Sequence, residues 1–325
     1  MISGEIMNNR IIVVTGATSM IGTAIIRAYL NNTVETIYAV VRPNSKNLYR
    51  LPNDPRIKVI ECAAEEYGNL KNIIQEKCDT FFHIAWDGTG ATRSKSTYGQ
   101  AQNILYTLTA LKVAKELGCE KYVGSGSQAE YGRLDVPKIN EDSPTKPVIP
   151  YGIAKLAAGQ LALIEAEKLD IDCFWVRIFS VYGLYDKSTT MISNAIPKMK
   201  AGKRMSFTPA VQKWEYLYAD DAGRAFYLIG EKSHGRKVYC LGSGEARELK
   251  EFIYILRDTV NPNAELGIGD IPYKGTEVMN LCADISRIQN DTGWSPEIQF
   301  EEGIRLLITN DTNWSILHDN GHLII

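Results

Sequence analysis

Val13-Val14-Thr15-Gly16-Ala17-Thr18-Ser19-Met20-Ile21-Gly22 is the stretch whose reading decides the fold. An apolar run, Arg10–Val14, breaks at a glycine and passes into Ile21–Asn31, where Ile21, Ile25, Ala28 and Tyr29 share one helical face. A strand that turns at a glycine into a helix is the setting in which backbone amides cradle a dinucleotide. Gly16 permits the tight turn and Gly22 lets helix and strand pack closely. N–H groups at the helix start then face a pyrophosphate, aided by the helix dipole. Ser19 stands where a glycine is usual in such turns; it gives up some room and offers a hydroxyl to a phosphate. Gly16, Thr18, Ser19, Met20, Ile21 and Gly22 are therefore the expected cofactor cradle.

The same alternation continues outward. Thr36–Val41, Ile57–Glu61, Thr80–Ala85, Lys121–Gly124 and residues 171–178 are short runs rich in β-branched and aromatic residues, and read as buried parallel strands. Between them, Asn103–Leu117 offers Leu105, Leu108, Leu111 and Val113 for packing and stops at Gly118. Strand–helix alternation predicts an α/β fold with a doubly wound parallel sheet of the Rossmann kind and a smaller C-terminal α+β lobe. After about residue 180 the pattern loosens: 184–213 is rich in Lys and Ser, and Pro262, Gly267, Gly269, Pro272 and Gly275 punctuate 259–280. We expect a dinucleotide-binding domain over 1–180 plus about 214–242, and a second lobe over 181–213 and 243–325.

Composition narrows the function. The 325 residues carry 36 Lys+Arg against 38 Asp+Glu, a formal charge of −2, which argues against a broad nucleic-acid surface. No apolar run approaches the roughly 20 residues of a membrane span. MISGEIMNNR has no apolar stretch, so no secretory signal is expected, and Met7 can serve as a start. The six cysteines form no CxxC, so free thiols and a cytoplasmic setting are expected. His234, His318 and His322 show no metal-ligand spacing, and no metal is expected.

The second strand ends Val40-Val41-Arg42-Pro43-Asn44-Ser45, with no acid to meet a ribose 2′-hydroxyl. Arg42 can bond a 2′-phosphate and stack on adenine. NADPH is the expected cofactor, with NAD as the alternative.

Tyr151-Gly152-Ile153-Ala154-Lys155 places a phenol and an amine four residues apart, on one helical face opened by Pro150. The spacing alone says little; Tyr67 and Lys71 repeat it in a polar stretch between two strands. Ser127 follows the strand at Tyr122-Val123-Gly124, and residues just past strand ends line the ligand crevice of an open α/β sheet. Ketone reduction needs a hydride at carbon and a proton at oxygen. A phenol with a pKa of about 10 is a poor proton donor and acceptor at neutral pH unless a nearby ammonium lowers it. Tyr151 is expected to move the proton, Lys155 to tune it and hold the nicotinamide ribose, and Ser127 to fix the carbonyl oxygen.

With these residues in view, the chain resembles the extended short-chain dehydrogenases/reductases of the nucleotide-sugar epimerase/dehydratase group over nearly its whole length. The family's TGAxGxxG appears as TGATSMIG. Its His-x-Ala strand end appears as His83-Ile84-Ala85, which would put Ala85 against the cofactor, and its NVxGT helix as Asn103-Ile104-Leu105-Tyr106-Thr107, with Asn103 a further expected cofactor contact. GSGSQAEYG matches the serine loop. Arg177-Ile178-Phe179-Ser180-Val181-Tyr182-Gly183 resembles RxxNxYG, with Ser180 in place of Asn. Tyr216-Leu217-Tyr218-Ala219-Asp220-Asp221 resembles IHVDD, and Gly293-Trp294-Ser295-Pro296 resembles GWxP. The resemblance implies an NAD(P)-dependent enzyme acting on nucleotide sugars, usually a homodimer joined through a helix bundle.

Departures narrow the reaction. The 4,6-dehydratases carry Asp-Glu after the serine or threonine; here Gln128 and Ala129 stand in those places. The Cys/His pair of the 3,5-epimerases is not evident. Reduction or epimerisation at C4 remains. Arg42 favours NADPH and hence reduction of a nucleotide-activated 4-keto-6-deoxyhexose, of use in surface-polysaccharide synthesis. The alternative is an NAD-dependent 4-epimerase like UDP-glucose 4-epimerase; a third reading is a non-catalytic NADP-binding regulator. Asp87, Thr89, Gln128, Ser180 and Lys213 are the expected sugar-nucleotide contacts, with Arg204 a further cation for the diphosphate.

Overall fold

The structure, a computed structural model, describes residues 10–32, 34–275 and 277–309; His318 and His322 lie outside them. Strand β1 (Arg10–Thr15) leads into α1 (Met20–Leu30), followed by β2 (Val34–Val41), β3 (Ile57–Glu61), the one-turn α2 (Leu70–Ile73), β4 (Thr80–His83), α3 (Thr97–Glu116), β5 (Lys121–Ser127), α4 (Pro150–Leu169) and β6 (Asp172–Ile178). The later part contains β7 (Val181–Tyr182), α5 (Met191–Lys200), β8 (Met205–Phe207), β9 (Lys213–Trp214), β10 (Leu217–Tyr218), α6 (Ala219–Lys232), β11 (Arg236–Leu241), β12 (Arg247–Glu248), α7 (Leu249–Val260), β13 (Leu266–Ile268), α8 (Ser286–Thr292) and α9 (Phe300–Thr309).

Seven strands form one parallel sheet in the order β11-β6-β5-β4-β1-β2-β3. Strand direction of travel across the sheet reverses between β1 and β4, so a crevice opens there at the carboxyl edge. Residues of β1 alternate between two cores. Ile12 and Val14 join Ile25, Phe82, Phe226 and Trp294 on one face, while Val13 joins Phe81, Leu111, Tyr122 and Cys173 on the other. That is the two-residue period of a strand buried on both sides. Full burial of a side chain such as Phe81 or Phe82 contributes about 1.5–3 kcal/mol.

Helix α4 lies close to the sheet because its inner stripe is small: Ala154, Ala158, Ala162 and Ala166 are all buried. Residues 236–241 return to the sheet as its outer strand beside β6, and α6 packs against α1, tied by the Arg27–Asp220 ion pair. A third core, with Tyr182, Ile196, Phe252, Leu256 and Phe300, belongs to the smaller C-terminal lobe.

One packing expectation is corrected. Leu111 and Val113 are buried, but Leu105 is 58% exposed. It falls on the outer face of α3, away from the sheet.

Candidate active site

Parallel strands deliver their carboxyl ends to one edge, and the register fixes who meets there. Thr15 stands opposite His83 and Val40, Gly124 opposite Trp175, and Ser127 opposite Ile178. The glycine turn after β1, the segment after β4 and Ser127 at the end of β5 thus share that edge.

Gly16 has φ +67°, the left-handed region that favours glycine, and a Cβ there would lie 2.7 Å from the Ala85 nitrogen. A side chain at Gly22 would run into the Gly16 carbonyl. The tight turn expected at Gly16 and the close approach expected at Gly22 are both present, and Ala85 abuts the turn. Ser19 caps α1: its Oγ accepts from the Gly22 N–H at 3.0 Å, leaving its own proton free to donate. Met20 and Ile21 form the first turn of the helix. This open helix N-terminus behind a turn that tolerates no side chain fits a bound pyrophosphate.

Arg42 is exposed just past β2. Arg50, which the sequence reading passed over, donates to the Thr18 carbonyl at 3.3 Å and lies 5.0 Å from the Tyr185 ring centroid. The Arg50 guanidinium therefore flanks this end of the turn.

At the other end stand Ser127, Tyr151 and Lys155. The phenol of Tyr151 lies beside the Ser127 side chain, whose proximity favours the phenolate. Ser127 Oγ accepts from the Ala129 N–H at 3.2 Å. Lys155 is fully buried; its Nζ donates to the Ser125 carbonyl and, at 3.2 Å, to Ser125 Oγ. The same ammonium lies 3.8 Å from the Trp86 ring centroid, and Trp86 packs edge-on to Tyr151 at 6.0 Å.

The electrostatics differ from the expectation that Lys155 lowers the phenol. Burial is the largest influence on Tyr151 and raises its pKa; the Ser127 side chain lowers it, Glu130 raises it and Arg93 lowers it. Burial brings the Lys155 amine down to about 7, with the Glu130 charge opposing. A desolvated amine carries its proton less readily, so it is a weaker partner for the phenolate than an exposed lysine.

Asn103 is buried, and its amide is spent on the loop after β4: it accepts from the Asp87 N–H at 2.9 Å and donates to the Asp87 carbonyl at 3.1 Å. Gln100 does the same for Trp86 and Gly88, both at 2.8 Å. Thr89 accepts from Lys187 Nζ at 2.7 Å, joining this loop to the small lobe. Gln128 and Ser180 are half-buried near the same edge. Lys213 pairs with Glu248 at 3.7 Å, and Arg204 pairs with Asp270, both inside the small lobe. Among the described contacts, neither cation reaches the Ser127–Tyr151–Lys155 set.

The acidic and tryptophan motifs near the C-terminus meet each other. Trp294 Nε1 donates to the Asp221 carbonyl at 3.0 Å, and the Asp221 carboxylate accepts from the N–H groups of Glu297 and Ile298 at 2.9 and 2.8 Å. They clamp α6 to the last helix pair.

These features define a class. The sequence profile described as NAD dependent epimerase/dehydratase family matches residues 12–242, and the chain belongs to that family of NAD(P)-dependent enzymes of short-chain dehydrogenase/reductase type. Among its relatives is the dTDP-4-dehydro-6-deoxyglucose reductase of Escherichia coli, 25% identical over 91% of this chain and 96% of the relative. The UDP-glucose 4-epimerase of Thermotoga maritima, solved with UDP-glucose, superposes with a TM-score of 0.83 at 22% identity, covering 94% of this chain and 99% of that one. The dTDP-glucose 4,6-dehydratase of Streptomyces venezuelae, solved with NAD bound, superposes with a TM-score of 0.80 at 20% identity over 94% and 98%.

Proposed function

We propose that the protein reduces the C4 keto group of a nucleotide-activated 4-keto-6-deoxyhexose with NADPH, in deoxysugar and surface-polysaccharide synthesis. The observation that carries the choice of reaction is the serine loop. Its one acid, Glu130, is fully buried and bound to Arg177 at 2.7 Å, while the positions nearest Ser127 are Gln128 and Ala129. No carboxyl of that loop is free to remove water from a sugar. Arg50 beside the glycine turn and Arg42 just past β2 support the 2′-phosphate form of the cofactor.

Residues 16–22, Ala85, Tyr151 and Lys155 would hold the dinucleotide. When bound, it supplies the hydride. Ser127 keeps its hydroxyl proton available, since its oxygen is the acceptor in the Ala129 contact, and donates it to the substrate oxygen. Tyr151 gives that oxygen a proton as charge develops, and burial favours its proton-carrying form. Asp87, Thr89, Gln128 and Ser180 line the approach for the sugar. Lys213 and Arg204 remain further candidates for the diphosphate.

The division into a cofactor domain (1–180 with about 214–242) and a sugar-nucleotide lobe (181–213 and 243–325) belongs to this reading, as does a cytoplasmic setting. The described cysteines are all free and buried, and no helix among the described residues is long and apolar enough to cross a membrane. A homodimer is proposed through α3 and α4, whose outer faces expose Tyr98, Leu105, Ile153, Leu161 and Ile164.

Incubation with NADPH and a dTDP-4-keto-6-deoxy sugar tests the reaction. Stoichiometric, substrate-dependent loss of NADPH absorbance is expected. Interconversion of C4 epimers without net NADPH loss would make the protein a 4-epimerase instead.

A further inference from the structure

Behind Ser127 lies a buried acid that the reaction scheme does not use. Glu130 Oε1 accepts from the Ser127 backbone N–H at 2.8 Å and from Trp175 Nε1 at 2.9 Å; Oε2 accepts from Arg177 Nε at 2.7 Å. Arg177 also donates to the Tyr131 hydroxyl at 2.8 Å and to the Glu141 carbonyl at 3.1 Å. The same indole reaches the active site: its ring centroid lies 5.7 Å from Lys155 Nζ. Trp175 therefore touches the buried acid through its N–H and neighbours the buried amine through its ring. Ser127 to Glu130 forms a reciprocal cap, Ser127 Oγ bound to the loop's own backbone and Glu130 bound back to the Ser127 N–H.

We infer that Glu130 is a positioning residue: its carboxylate, seated on Arg177 and Trp175, fixes the serine loop and presents one negative charge to the Tyr151–Lys155 pair. This rests on reading Ser127, Tyr151 and Lys155 as the reacting set. A negative charge held behind a phenol and an amine opposes the phenolate and favours the ammonium. Both effects load the pair with protons. That suits an enzyme whose first need is to give a proton to a ketone oxygen, and disfavours one that must first take a proton from an alcohol.

Other groups face the same pair. Tyr151 meets Ser127 from β5, Lys155 from its own helix, and the Arg93 charge from the segment before α3. Lys155 meets Ser125 from β5, the rings of Trp86 and Trp175, and, from the end of β4, His83, whose pKa burial and then the Lys155 charge bring down to about 3. Behind Glu130 lie Arg177 and Tyr131, then Cys240 at 3.1 Å from the Tyr131 hydroxyl, then Glu141 and Arg287. Arg177 is the group that most directly offsets the Glu130 charge, and Trp175 neighbours both that charge and Lys155.

The test follows the ionisation of Tyr151 itself, without substrate. Full-length protein carrying tyrosine isotope-labelled at Cζ is titrated by NMR, and the Tyr151 signal is identified by its loss in Tyr151→Phe. Glu130→Gln keeps the shape and removes the charge; the Tyr151 midpoint is expected to move down by about one pH unit. Because removing one member of a buried ion pair can unfold the chain, Glu130→Gln with Arg177→Met removes both charges together, and a smaller downward move is expected, since the offsetting guanidinium leaves with the acid. Glu130→Asp keeps the charge, and the midpoint should stay near that of the wild type. A midpoint that does not move in either folded neutral variant overturns the inference. With an active enzyme, the alkaline fall of kcat/KM should shift with the midpoint while KM holds. If the wild type turns over no nucleotide sugar, the proposed reaction fails, and the titration still decides the role of Glu130.

Discussion

Two Tyr-x-x-x-Lys pairs in this chain have the same spacing and different surroundings. Both tyrosines stand at the carboxyl edge of the sheet, Tyr67 buried and Tyr151 half-buried. Tyr67 packs edge-on to His83 at 5.8 Å, and Tyr151 packs edge-on to Trp86 at 6.0 Å beside Ser127. The lysines part company. Lys71 leaves the edge and pairs with Glu116 at 3.2 Å on the surface, whereas Lys155 is wholly enclosed beside Ser125 and Trp86. Tyr67 lies in a tight turn of 3₁₀ helix and Lys71 in the next helix, so their side chains share no face; Tyr151 and Lys155 stand one turn apart on α4. Spacing sets a possibility, and the element that carries it decides whether two groups meet. In the proposed reading, Tyr67, which feels the Arg42 charge, belongs to the adenosine end of the crevice and Tyr151 to the reacting end.

The sharpest way to break the comparison is to remove each hydroxyl. Tyr151→Phe should lower kcat by about 10²–10⁴-fold, the range for loss of a positioned proton donor. Tyr67→Phe should stay within about twofold. Steady-state rates decide, and equal losses would dissolve the distinction. The two amines come next. Lys155→Met should cost at least about tenfold in rate, and Lys71→Met almost none.

Stability should move the other way at position 155. The folded pKa of Lys155, about 7, lies below the unfolded value of 10.5. The unfolded chain therefore binds the extra proton between these values, and the wild type is held back most below pH 7. The melting temperature of Lys155→Met minus that of the wild type should be largest below neutrality. It should shrink as pH rises toward 10.5, as scanning calorimetry can read. A difference that grows with pH would show that the amine is not desolvated as described.

At the adenosine end, Arg42→Asp should raise Kd for NADPH by more than about tenfold through loss of a charge-assisted bond, and change NADH little. Unchanged preference in cofactor titrations would reject NADPH. Leu105→Glu should shift the protein toward monomer in light scattering without altering kcat in the monomer; an unchanged mass would move the proposed contact elsewhere.

Much of the frame was legible because its signals are local. Gly16 needs a positive φ, strands buried on both faces read as apolar runs, and the stop at Gly118 is a common helix ending. The misreadings concern partners distant in sequence. Leu105 has helical periodicity, yet which face of α3 meets the sheet depends on where α4 packs. Tyr67 sits in a polar segment, and only the closing of β1 against β4 buries it. Trp86 and Lys155 are 69 positions apart and Glu130 and Arg177 are 47, beyond any periodicity. Glu130 nevertheless left a trace, since a serine followed three residues later by glutamate is the spacing of a reciprocal cap.

The two outermost strands of the sheet have a consequence for assembly. β3 presents Lys58, which pairs with Glu76 at 3.0 Å, and β11 presents Lys237, which pairs with Asp291 at 2.6 Å. Charged, paired side chains on both borders discourage another strand from docking there. Growth of the sheet from molecule to molecule, the route to fibrils, is thereby blunted at either end.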